Sequence, residues 1–108
     1  SSGDGTFIYT GFKPAVIIVK RTNGTKNWHL FDTTRSTYNL TKADLKPDTD
    51  ALEDTSNDWL DILSNGFKWR IPSGDADYGD VNGDGDTYIY AAFGQTLVGT
   101  NNVPCTAR

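Results

Sequence analysis

The apolar residues of this chain come in short groups, most of them alternating with polar residues at a period of two. Residues 6–10 set Phe7, Ile8 and Tyr9 between two threonines and predict a short strand. Residues 11–14 form a turn, with Lys13 pushed towards extended geometry by the proline after it. Residues 15–19 are a continuous apolar run, closed by Lys20 and Arg21. Their brevity and β-branching predict a central strand rather than a helix. Asn23-Gly24 is a strong hairpin signal, so residues 15–21 and 27–32 are expected to pair antiparallel. His29 falls in the returning strand between Trp28 and Leu30 and is expected to face outward.

From residue 33 to 57 the alternation stops. The stretch is polar, holds Pro47 and several aspartates, and spaces Tyr38, Leu40, Leu45 and Leu52 widely. It reads as a long excursion covering one end of the core, with a helical turn expected at 42–45. Loops this long in a small domain are commonly functional or interaction surfaces. Alternation returns at 59–63 and 67–71, flanking Ser64-Asn65-Gly66 as a second hairpin. Residues 74–86 are dominated by Gly and Asp, and 87–93 alternate as a last long strand. About six short strands, with no internal repeat, predict one all-β domain over residues 1–108. The expected architecture is an antiparallel β-sandwich or small barrel with one long excursion loop at about 33–57.

Composition agrees and narrows the functions. Thr, Val and Ile supply 25 of 108 residues, and thirteen Asp stand against one Glu, a bias towards strands and turns. Ten Lys and Arg against fourteen Asp and Glu leave a net charge of −4, with a pI near 4.7. That balance argues against nucleic-acid or anionic-membrane partners. No apolar run approaches the roughly 20 residues of a membrane helix. The single Cys105 excludes a disulfide within this chain and a thiolate zinc cluster, and the single His29 excludes multi-histidine metal sites. The chain does not begin with Met, and residues 1–6 lack the apolar stretch of a signal peptide. A processed secreted protein and a piece of a longer polypeptide both fit.

Little in the sequence can carry catalysis. A Ser-His-Asp arrangement would need the mid-strand His29. Cys105 lies in a tail with no flanking cation or helix terminus to lower its pKa. No spacing among the aspartates singles out a glycosidase pair, and the glycines at 79–85 lead into a strand, not a helix. A non-enzymatic protein is expected. The sharpest motif is Asp80-Val81-Asn82-Gly83-Asp84-Gly85-Asp86, which follows the opening of a calcium loop. Asp80, Asn82, Asp84 and Asp86 are the candidate Ca²⁺ ligands, with Asp75 and Asp77 in reserve. The twelfth position, which should be a bidentate carboxylate, is Ala91. The plain alternative is a Gly/Asp turn feeding the last strand, because such steps tolerate positive φ. Of the three tryptophans, at least two are expected in the core, with Phe67, Trp69 and Ile71 on one buried face. Tyr78, alone in the Asp/Gly segment, is the candidate ligand contact.

Seven pieces of the chain, taken in order, resemble a known family. Gly3-Asp4-Gly5-Thr6 precedes Tyr9-Thr10-Gly11-Phe12-Lys13-Pro14-Ala15, followed by Ile17-Ile18-Val19-Lys20-Arg21 and Asn27-Trp28-His29-Leu30-Phe31-Asp32. Then come Leu63-Ser64-Asn65-Gly66-Phe67-Lys68, Gly85-Asp86-Thr87-Tyr88-Ile89-Tyr90-Ala91-Ala92-Phe93 and a terminal Thr106-Ala107-Arg108. Together they resemble a β-rich domain found at the C-terminus of tailed-bacteriophage structural proteins, including tail-fibre-like proteins. The resemblance implies a virion location, on a tail fibre, an appendage or the capsid surface. It implies host-surface recognition or structural reinforcement as the role, and no catalytic residues. A symmetric homo-oligomer is expected, a trimer first, with apolar residues of the excursion buried between subunits. Its partners would be other virion proteins or a host-surface glycan. The alternatives are a calcium-stabilised carbohydrate-binding module of a secreted protein, or a subunit of an extracellular filament joined through residues 1–10 or 97–108.

Overall fold

Side chains of Pro14–Arg21 alternate between two faces, and this strand, β2, is the centre of one of two three-stranded antiparallel sheets. The computed structural model describes residues 5–34 and 40–94. Tyr38, Cys105, residues 1–4 of the N-terminal segment named above and the whole segment 97–108 lie outside those residues. Around β2 stand β3 (His29–Asp32) and β6 (Tyr88–Gly94), in the order β3-β2-β6. The second sheet has the order β1-β5-β4, from β1 (Phe7–Tyr9), β4 (Leu60–Leu63) and β5 (Gly66–Trp69). One helical turn, α1 (Tyr78–Val81), lies before β6. The molecule is thus sandwich-like rather than a closed barrel. No helix among the described residues is long and apolar enough to cross a membrane.

The inner faces of the two sheets share one core. β2 gives Ile17 and Val19, β3 gives Phe31, β4 gives Leu60 and Ile62, and β5 gives Phe67 and Trp69. Trp59, Ile71 and Val81 complete it. Phe31 is the aromatic hub, 5.5 Å from the Trp59 ring and 6.0 Å from Trp69. Each such large side chain removed from water is worth about 1.5–3 kcal/mol before conformational entropy is set against it. Two tryptophans are buried, as expected, and Trp28 stays half-exposed.

Both expected hairpins form, each by a different device. β4 and β5 are joined across Ser64 and Asn65, with Leu63 opposite Gly66. Gly66 has no positive φ; it sits in β5, where an added Cβ would lie 2.0 Å from the Ile8 carbonyl oxygen of β1. The Asn-Gly step is therefore needed here for the close approach of a third strand. β2 and β3 pair antiparallel, but Val19 faces His29, so a wide loop replaces a two-residue turn at Asn23-Gly24.

The excursion is a clasp rather than a helical turn. Instead of coiling at 42–45, it runs extended and bridges the edges of both sheets. Thr41 pairs with Leu60 at the edge of β4, and Leu45 pairs with Leu30 at the edge of β3. Asp44 pairs with Asp54 within the excursion. The β3/β4 side of the sandwich is closed in this way, and among the described residues nothing closes the opposite side, bounded by β1 and β6.

Candidate functional site

Two arrangements concentrate polar chemistry: a buried charge cluster under the excursion and a cleft on the open side. The register that places His29 opposite Val19 turns the imidazole inward, and it is 0% exposed. This overturns the expected outward orientation. Trp28 and Leu30, its neighbours in sequence, take the other face of the sheet. The His29 Nδ1–H donates to both carboxylate oxygens of Asp44, at 2.9 and 3.0 Å. The Nε2–H donates to Asp80 Oδ2 at 2.9 Å. With both carboxylates ionised, each ring nitrogen must donate, so the arrangement favours an imidazolium. Lys26 Nζ lies 3.1 Å from Asp80 Oδ1. With His29 protonated, the four charges cancel.

Burial acts against the charged ring, but the hydrogen bonds and negative charges of Asp44 and Asp80 outweigh it. They hold the His29 pKa above its ordinary value of 6.5. An imidazolium held this way is no free base, and its burial keeps it from any substrate. What it does is structural. Asp44 comes from the excursion, His29 from β3 and Asp80 from α1, so one ring ties three segments distant in sequence. The signal in the sequence was parity: His29 shares its face with Phe31, the one aromatic in β3 that lies in the core.

On the open side the sheets part around a cleft of about 810 Å³. Phe67, Trp69 and Val19 floor it, and Tyr78, Tyr88 and Tyr90 wall it. Residues 82–86 form its rim, with Gly5, Thr6 and Ile8 opposite. Tyr88 fixes that rim, since its hydroxyl accepts the Gly83 N–H at 2.8 Å and donates to the Gly79 carbonyl at 3.0 Å. Burial, with Asp86 and Asp80 nearby, raises its pKa and keeps the phenol neutral. Arg21 Nη2 closes one end with a 2.7 Å ion pair to Asp86. Gly85 turns the rim at φ 78°, as a Gly/Asp turn requires.

A family profile for a domain of unknown function, DUF7483, matches residues 1–96. The chain belongs to that family. No curated protein and no solved structure matches it.

This DUF7483 domain separates the residues expected to bind calcium. Asp80 turns into the core towards His29 and Lys26, whereas Asp86 pairs with Arg21 and receives the Asn23 side-chain N–H at 3.3 Å. The Asn82 amide reaches the Ile71 carbonyl at 3.4 Å, and Asp84 is exposed. Asp77 accepts from Asn57 at 3.2 Å, and Asp75 caps the Asp77 N–H at 3.1 Å. Among the described residues, no three His, Cys, Asp or Glu side chains group as a metal site. Calcium in this loop would require Asp80 to leave His29. Tyr78 is half-buried against the core, not free in a loop, and it belongs to the cleft wall. Tyr88 and Tyr90, read from sequence only as strand residues, stand beside it there.

Proposed function

We propose that this domain is a non-enzymatic recognition module of a virion surface, on a tail fibre, an appendage or the capsid, and that its cleft engages a host-surface glycan. The cleft carries the reading. Its volume of about 810 Å³ suits a small ligand, and its walls combine tyrosine rings with polar side chains at the rim. Aromatic faces accept the apolar C–H face of a sugar, while Asn82, Asp84 and the rim backbone suit hydroxyl groups. Two further observations support it. The single histidine is sealed into the core, which takes the usual general base away from the cleft. The resemblance of the sequence to phage structural proteins favours the proposed location.

The test is a glycan array probed with the labelled full chain, with and without millimolar calcium. The expected result is a calcium-independent hit that Tyr90→Ala weakens about tenfold or more, a loss of about 1.4 kcal/mol. Tyr90 is half-exposed, so its removal should leave the fold intact, which the circular dichroism spectrum checks. Binding only in calcium would favour the calcium-stabilised carbohydrate-binding module and direct attention to Asp84 and Asp86. No hit under either condition would remove the glycan reading.

A further inference from the structure

Four strand edges bound the two sheets, and the chain treats them unequally. The β3 edge is covered by Leu45, which exchanges backbone hydrogen bonds with Leu30 in both directions at 2.8 and 3.1 Å. The β4 edge is covered by Thr41, through Thr41 N–H to Leu60 and Trp59 N–H to Thr41. β1 is three residues long. β6 is seven residues long, and its outer edge has no backbone partner among the described residues.

Native proteins blunt such edges with charges, prolines, bulges or a covering segment. β6 reads Tyr-Ile-Tyr-Ala-Ala-Phe-Gly, with no charge and no proline, and exposes Ile89 at 51% and Phe93 at 52%. We propose that this edge pairs with the same edge of a second copy, antiparallel about a two-fold axis at Ala91. Three observations favour a second copy over another partner.

The first is self-complementarity. Centred on Ala91, the pairing uses all seven residues: Tyr88 meets Gly94, Ile89 meets Phe93, and Tyr90 meets Ala92. The two large exposed side chains on the outer face meet each other, twice, and Ala91 meets itself where space is least. The second is ladder parity. The Thr22 N–H donates to the Thr87 carbonyl, and Thr22 and Thr87 continue the β2–β6 register. Odd-numbered residues of β6 therefore direct their peptide groups to β2, and even-numbered ones direct theirs outward. The proposed register joins even to even, so outward donors meet outward acceptors. The third is charge. A chain of net charge −4 repels its own copies most weakly where it carries none, and β6 is such a place. The product is a six-stranded sheet, β3-β2-β6-β6-β2-β3, with a cleft on each side of the axis. This inference does not depend on what the cleft binds.

Light scattering on the full chain over a concentration series tests it, with the expected mass reaching twice 11.8 kDa. Ile89→Lys and Phe93→Glu should each weaken the dimer about tenfold or more and leave the circular dichroism spectrum unchanged, since both positions are half-exposed. The double variant should regain the dimer, because the new lysine of one copy faces the new glutamate of the other. That restoration is specific to the register and cannot come from a fold defect. A monomer at every concentration, a trimer, single variants without effect, or a double variant that fails to restore association would each overturn the proposal.

Discussion

At His29 a side chain does what a sheet ladder cannot, joining segments that share no strand. Asp44 and Asp80 both bond its ring, and among the described residues neither carboxylate has another cation of comparable burial. Removing one member of such a buried set leaves uncompensated charge, at about 3–5 kcal/mol. His29→Gln is therefore expected to lower unfolding free energy by about 3 kcal/mol, a large part of a small domain's total. The pH dependence has a definite sign. The folded His29 pKa stands above the ordinary value of 6.5, so its stabilisation is complete below about 6.5 and is lost as pH rises through the raised value. Urea unfolding from pH 6 to pH 9 should show wild-type stability falling across that window, with the His29→Gln profile flatter there. Equal slopes for the two proteins would remove the imidazolium assignment.

At the scale of elements, the sequence named each strand to within a residue or two because β-branched runs and period-two alternation are local properties. Register is not local. A two-residue turn at Asn23-Gly24 would set Val19 opposite Trp28 and Ile17 opposite Leu30. The observed loop is shifted by one, giving Val19–His29 and Ile17–Phe31. One residue of shift exchanges the two faces of a strand, which is why His29, expected outside, lies inside. α1 escaped notice for a similar reason. Its four residues carry little helical preference, and Asp80 is held there by a histidine some fifty positions away in the chain, with a sequence separation of 51. Gly66 offers the sharpest test of packing between elements. Gly66→Ala puts a methyl group against the Ile8 carbonyl, and the expected cost is about 3 kcal/mol or more, at the upper end for overpacked sites. Thermal unfolding of this variant beside Gly74→Ala, where a Cβ meets nothing within 4 Å, gives the comparison.

Over the whole molecule, the excursion is the feature that sequence described least well. Its polar composition conceals extended segments that are ordered by the edges they cover. Hydrogen exchange should separate its parts. The amides of Thr41, Asp44 and Leu45, bonded to Leu60, Asp54 and Leu30, are expected to exchange slowly, like those of β3 and β4. The amide of Leu52, whose side chain is 92% exposed, should exchange at once. Uniformly fast exchange from 40 to 57 would remove the clasp. The cleft, too, was only partly legible. Tyr78 was singled out, but the other ring-bearing walls come from a strand whose tyrosines reach the cleft only through the pairing of β6 with β2.

Closure on one side alone also sets the compliance of the molecule. The sheets are bound along β3 and β4 as two covers are bound at a spine, and a small rotation about that line widens the far side without breaking any ladder. The contact in the way is a ring pair, Phe67 of one sheet edge-on to Tyr90 of the other with centroids 5.5 Å apart. Such a pair contributes about 0.5–1.5 kcal/mol beyond its burial. Widening the far side therefore meets a barrier to which these two aromatic rings contribute, while the strand ladders stay as they are.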